Sequence, residues 1–194
     1  MAAEQPVFYY DTNSPYAYLA ATRIGDLIPD AVWRPVALGI ILREQGRVPW
    51  SLRPEERPEG MAECERRAAE RGLPPIAWAE GWPRDTWSFV PLRALVVAEE
   101  EGRLRELTLE CFRLMFVEGR SLAELDTVLG AAASVGLDTA RVTEALETAA
   151  VKERLRAYTD EALARGVPGV PTVAVGDRLF WGDDRLEEAA AAND

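Results

Sequence analysis

GVPGVPTVAVGDRLFWGDDRL, residues 166–186, compresses a hairpin and a helix start into one short stretch. PTVAV (171–175) is apolar and β-branched and reads as a strand. Gly176-Asp177 reads as a two-residue hairpin turn, and RLFWG (178–182) as the strand that returns. DDRLEEAAAA (183–192) predicts a final helix, its acidic residues placed where the positive end of the helix dipole favours them. Pro171 is the unusual element. Proline cannot donate to a sheet ladder, so Val-Pro directly ahead of a strand needs a reason.

Working outward, the stretch is preceded by VKERLRAYTDEALARG (151–166), a helix closed by Gly166. The chain begins in a related way. PVFYY (6–10) predicts an interior strand, Ser14 to Leu27 a helix, and AVWRPVAL (31–38) a second strand, with Pro35 implying an edge or irregular position. Ser14-Pro15 is a good helix start on local grounds alone, since Ser is a favoured N-cap and Pro is favoured at the first helical position. From about Gly39 to Gly166 the pattern is mostly helical. VPWSLRPEERPEG (48–60) reads as a mobile loop, AECERRAAERG (62–72) as a short polar helix, and SLAE (121–124) as a capping box. Gly136 closes one helix and Asp138 caps the next. LPPIAWAEGWPRDTWSF (73–89) places Trp78, Trp82 and Trp87 among prolines and glycine, which fits either core or the wall of a pocket for a flat apolar ligand. The order β-α-β, helical block, α-β-β-α is that of an α/β, thioredoxin-like fold. A large all-helical insertion separates its β-α-β and β-β-α halves: residues 1–39 and 151–194 form the thioredoxin-like domain, and residues 40–150 the insertion.

Composition narrows the chemistry. The 194 residues are 48% hydrophobic, enough for one substantial core. Net charge is −11, which argues against nucleic acid or an anionic membrane as partner. Lys152 is the only lysine, a bias that genomic composition accounts for. No apolar run approaches a membrane span, and MAAEQPVFYY lacks a basic region followed by an apolar one, so the expected location is the cytoplasm. There is no histidine, which removes Ser-His-Asp triads, histidine bases and most zinc sites; no metal is expected. The two cysteines are not spaced as C-x-x-C. Cys111 recurs with Leu104, Leu107 and Leu114 at helical spacing and reads as core. Cys64 lies in a charged helix, is expected to be partly exposed, and is given no role.

FYYDTNSPYAYLA (8–20) together with residues 166–186 resembles the family of 2-hydroxychromene-2-carboxylate isomerases and kappa-class glutathione transferases, within the DsbA-like group. The order of elements matches over nearly the whole chain, and the motifs are strong at its two ends. In such folds the proline ahead of the third strand is cis and faces the first helix, so the resemblance implies a cis Val170-Pro171 bond. A trans proline at a strand start fits the local sequence equally well. Redox members carry C-P-x-C at the start of helix one. Here Ser14-Pro15-Tyr16-Ala17 stands in that place, with no thiol for disulfide exchange.

By resemblance the reactive sulfur is then that of bound glutathione or another low-molecular-weight thiol, and Ser14 donates a hydrogen bond to it. A helix N-terminus favours thiolate whether the thiol is a side chain or a ligand. Val170 would pair with the cysteinyl backbone. Asp184 would take the γ-glutamyl ammonium, and the N–H groups of Asp183 and Asp184 its carboxylate. Arg66 is kept, whereas a lysine usual ahead of that helix is absent; Arg47, Arg53 or Arg57 are candidates to meet a carboxylate instead. The implied enzyme is a glutathione-dependent isomerase or transferase acting on a small aromatic molecule, with Tyr16, Trp78, Trp82 and Trp87 around its ring, working as a homodimer. The rival reading is a thiol- or peptide-binding module that kept the groove without turnover. A disulfide oxidoreductase is disfavoured by Ser14 and Ala17.

Overall fold

A computed structural model of the chain describes residues 5–193; residues 1–4, part of the start read for a leader, and Asp194 lie outside them. Strand β1 (Val7–Tyr10) pairs in parallel with β2 (Val32–Pro35) and antiparallel with β3 (Thr172–Val175), which pairs antiparallel with β4 (Arg178–Trp181), giving the order β2-β1-β3-β4. β2 is an edge, where Pro35 removes no interior ladder bond. β1 is buried at every position, and its alternating side chains feed two cores. Phe8 and Tyr10 join Trp33 and Phe112 on one face; Val7 and Tyr9 join Val36, Ile41 and Ala162 on the other.

Between β1 and β2 lies α1 (Pro15–Leu27), and after β2 come α2 (Leu38–Glu44), a 3-10 turn at Trp50–Leu52, and α3 (Arg57–Glu70). The helical block continues with α4 (Phe89–Glu100), α5 (Leu104–Phe116), α6 (Leu125–Ser134), α7 (Thr139–Leu146) and α8 (Ala149–Ala164); α9 (Leu186–Asn193) follows β4. α1 packs on α3, α5 and α9, while α8 packs on α2, α4 and β2. None of the helices among the described residues is long and apolar enough to cross a membrane.

Local expectations met three corrections. The loop expected through residue 60 ends earlier, because Pro58 is compatible with the first turn of a helix and α3 starts at Arg57. The capping box at 121–124 does not form. Ser121 Oγ instead accepts from the Ala123 N–H (3.2 Å) in a turn, and α6 begins only at Leu125. Cys64 is fully buried, because it lies four residues from Ala68 on the inner face of α3. Gly136 and Asp138 do mark the junction of α6 and α7, Asp138 accepting from Ala140 and Arg141.

The last strand-to-helix turn is bound to α3 by charge. Asp183 is completely buried, and its carboxylate takes Arg67 Nη1 at 2.6 Å and also pairs with Arg71. Arg23 of α1 donates to the Asp183 carbonyl (3.4 Å) and pairs with Glu187. Removing one partner of a buried pair leaves uncompensated charge, though both arginines keep about a fifth of their side chains exposed (22% and 19%) and can partly rehydrate. Asp183→Ala is therefore expected to cost roughly 3 kcal/mol, the low end for such a cut, read as a lower urea midpoint with unchanged slope. An unchanged midpoint would show that α3 is held by apolar packing alone.

Candidate active site

The N-terminus of α1 faces the segment 169–171 across a cavity of about 370 Å³, bounded also by residues 47–53 and the turn at 182–184. Ser14 is the N-cap. Its Oγ accepts from the Ala17 N–H (3.2 Å), which leaves its own O–H free to donate. Pro15 has no N–H, and the Tyr18 N–H is taken by the Ser14 carbonyl (3.0 Å). The Tyr16 N–H is thus the one first-turn amide without a partner among the described residues. A hydroxyl, a bare amide and the positive end of a helix of 13 residues converge on one place. An anion is favoured there.

Opposite stand Gly169, Val170 and Pro171, with a cis bond between Val170 and Pro171. At one end of the cavity, Asp183 and Asp184 follow Gly182, whose φ of 122° suits glycine. The Asp183 carboxylate is committed to Arg67 and Arg71, so Asp183 offers a ligand its N–H and not its side chain. Asp184 is more open, its carboxylate 3.7 Å from Arg67. Burial works against the charge on Arg67. Glu63, Asp183 and Asp184 more than offset this, and its pKa is raised.

An aromatic wall closes another side. Trp82 is tilted against Trp50 (centroids 5.7 Å apart) and Trp78 (4.5 Å), and Tyr16 meets Trp50 edge-on at 6.1 Å. Tyr16, Trp50 and Trp82 line the cavity, while Trp78 stands behind Trp82, its Nε1 bonded to Glu65 at 2.7 Å. Trp87 does not join them and is 69% exposed. The cause is local alternation: Thr86 donates inward to Asn13 Oδ1 (2.9 Å) and Ser88 inward to Asp11 Oδ2 (3.1 Å), which leaves the residue between them facing out.

Trp50, Trp181 and Arg67 are among the lining residues that the sequence did not single out, as are Leu38, Leu42 and Gly169. Trp50 lay in a segment read as loop. Trp181, 49% exposed, carries Arg47 over its ring at 5.1 Å from the centroid. Arg67, rather than Arg66, faces the cavity; Arg66 is on the outer face with Glu63 and Glu70. The helical period held that signal, because position 67 is three residues from buried Cys64 and position 66 is not on that face. Arg47 and Arg53 line the cavity and Arg57 does not.

No cysteine supplies a thiolate here. Cys64 and Cys111 are buried, and burial, first among several causes, pushes each thiol up to about 12. Ellman's reagent at pH 8 is expected to label neither in the native protein and both after denaturation; native labelling of Cys64 would overturn its inert role. The sign for stability follows. Above about pH 8.5 unfolded thiols ionise while native ones keep their protons. Stability therefore falls as pH rises from there toward about 12. A second expectation concerns the aromatic wall. A Cβ on Gly60 would lie 2.2 Å from the Trp50 ring, so Gly60→Ala must displace the indole. Calorimetric titration with 2-naphthoate should show roughly tenfold weaker binding than wild type, the worth of one good aromatic contact. Equal affinities would remove Trp50 from the binding wall.

A model of the DSBA-like thioredoxin domain matches residues 7–192. The chain is 27% identical over 187 residues to a 2-hydroxychromene-2-carboxylate isomerase of Sphingobium xenophagum, covering 93% of each chain. A solved structure of a 2-hydroxychromene-2-carboxylate isomerase superposes with a TM-score of 0.86 at 24% identity, over 96% of this chain and 93% of that one. The cytosolic disulfide reductase DsbM of Pseudomonas aeruginosa, solved with GSH, superposes at 0.64 and 19% identity, over 97% and 95%. With the match spanning nearly the whole length, the chain belongs to the DSBA-like thioredoxin domain family.

Proposed function

We propose that this protein activates the thiol of bound glutathione, or of a similar small thiol, and uses it to isomerise or conjugate an aromatic electrophile. The observation that carries the reading is the first turn of α1: a free Ser14 hydroxyl and a free Tyr16 amide at a positive helix end, inside a cavity, with no cysteine of the chain able to serve. The similarity to an enzyme named 2-hydroxychromene-2-carboxylate isomerase supports isomerase activity, and the DsbM structure with GSH supports a glutathione-sized thiol in such a fold.

The residues present fit such a thiol. Ser14 and the Tyr16 amide hydrogen-bond the charged sulfur and so lower its pKa. The backbone of Val170 faces the cysteinyl unit. At the turn, the N–H groups of Asp183 and Asp184 meet the γ-glutamyl carboxylate, with Asp184 against the ammonium and Arg67 beside it. When bound, glutathione supplies a nucleophile that is also a good leaving group. Trp82, Trp50 and Tyr16 hold the substrate ring flat beside the sulfur and exclude water. On this reading the protein is cytoplasmic and pairs with a second copy, and neither nucleic acid nor membrane is a partner.

Thiolate absorbance near the ultraviolet edge, followed against pH, tests the proposal. Glutathione bound to wild type should ionise well below its free pKa, and in Ser14→Ala the bound value should rise toward that of free thiol. Absence of glutathione binding, or an unshifted bound thiol, would return the groove to a binding role without thiol activation.

A further inference from the structure

A second hollow, of about 520 Å³, lies between α2 and α8. It is on the far side of α2 from the cavity at the start of α1: Leu38 and Leu42 face that cavity, Ile40 and Glu44 face this hollow. Its floor is aliphatic, made of Ala37, Ile40, Leu155 and Leu163, and Phe89, 40% exposed, joins them. Thr159 adds no free polar group, because its hydroxyl donates to the Leu155 carbonyl (3.0 Å) and accepts from the Ala37 N–H (3.1 Å). The rim is cationic. Arg43, Arg93, Lys152 and Arg156 stand against Glu44 and Asp160, in a chain whose acids outnumber its bases 33 to 22. An apolar floor under a cationic rim suits an amphiphile with an anionic head. The protein itself marks the place for that head. Arg93 Nη1 and Lys152 Nζ converge on the Glu147 carboxylate, at 2.8 and 2.6 Å. Glu147 is 71% exposed, and pairs so open to water are weak, so a carboxylate from outside can take its place.

We propose that this groove binds a free aliphatic carboxylate of medium chain length, its head between Arg93 and Lys152 in place of Glu147 and its chain laid over Leu155, Ile40 and Leu163. On α8, Lys152, Leu155, Thr159 and Leu163 follow at spacings of three and four and so share one face, which runs about 16 Å from head to tail. Decanoate can lie along most of that row. Each methylene taken from water onto the floor strengthens binding about fourfold. An aromatic carboxylate suits the groove less. Rings gain from aromatic faces, which wall the other cavity, whereas Phe89 is the one ring in this lining among the described residues. An anionic bilayer is a poor source of the head group, since a net charge of −11 repels such a surface, while a single dissolved anion needs only the local cations. The site is independent of thiol activation at α1.

Calorimetric titration of the full chain with decanoate, with backbone amide shifts of nitrogen-15-labelled protein followed in parallel, tests the site. Binding should move the amides of residues 37–44 and 152–163 and leave those of Ser14 to Ala17 in place. Decan-1-ol, with the same chain and no charge, should bind about tenfold more weakly. Butyrate, with the same head and six fewer methylenes, should give no measurable binding. Arg93→Gln and Lys152→Gln should each weaken decanoate about tenfold, whereas Glu147→Gln, which removes the internal competitor, should tighten it severalfold. All three side chains reach solvent, so the fold tolerates these changes. No heat at millimolar decanoate, shifts confined to the cavity at α1, equal binding of decan-1-ol, or unchanged affinity in all three variants overturns the proposal. Shifts at the same residues that grow with protein concentration, without decanoate, would give the groove to a second copy of the chain and overturn it as well.

Discussion

One buried carboxylate ties the cavity end of the fold together. Asp11, at the end of β1, accepts from the Asn13 N–H (2.9 Å), the Leu38 N–H at the start of α2 (2.9 Å) and the Ser88 hydroxyl ahead of α4 (3.1 Å). Three segments far apart in sequence thereby meet at one side chain. Burial raises its pKa, while the hydrogen bonds to Asn13, Leu38 and Ser88 oppose the rise. The arrangement places Asn13 and Ser14 at the mouth of α1, opens α2 toward the cavity through Leu38, and turns Thr86 inward and Trp87 outward. Without it the first turn of α1 would keep its N-cap but lose its orientation relative to the aromatic wall.

The opposite wall depends on a different constraint. Arg67 sits between Glu63 of its own helix and Asp183 of the last turn, and its guanidinium lies over the Tyr16 ring at 5.4 Å. Glu63 and the two aspartates balance its charge, as Glu56 at 2.6 Å balances Arg53. Arg53 and Arg67 are thus committed to protein carboxylates, whereas Arg47, also on the cavity, donates to the neutral Gln45 Oε1 and Pro168 carbonyl. A free arginine beside the sulfur would bind a thiolate more tightly and make it a poorer nucleophile, since nucleophilicity falls with thiol pKa.

The two ends of the fold were legible because their signals are local. A Pro before a β-branched run, a Gly-Asp turn, and Ser-Pro at a helix start each specify backbone within a few residues, and β1 to β4 and α1 follow from them. The helical middle carried weaker signals. There the position of Trp50 depends on Gly60 lying flat beneath it ten residues later, and the exposure of Trp87 depends on where Thr86 and Ser88 find partners. Such long-range pairings leave no periodic trace. Arg67 differs: the spacing from Cys64 and Ala68 marks it, once Cys64 is taken as core.

Isomerisation asks something of the site that conjugation does not. The adduct must form and also fall apart, so the sulfur has to be stabilised enough to leave and not so much that it fails to attack. Neutral donors at a helix terminus meet both demands, because each hydrogen bond to the charged sulfur is worth about 1.5 to 3 kcal/mol and can be released without moving a charge. The burial of both cysteines leaves any reactive sulfur in this cavity to a bound thiol, and the neutral donors at the first turn of α1 suit a sulfur that must both attack and leave.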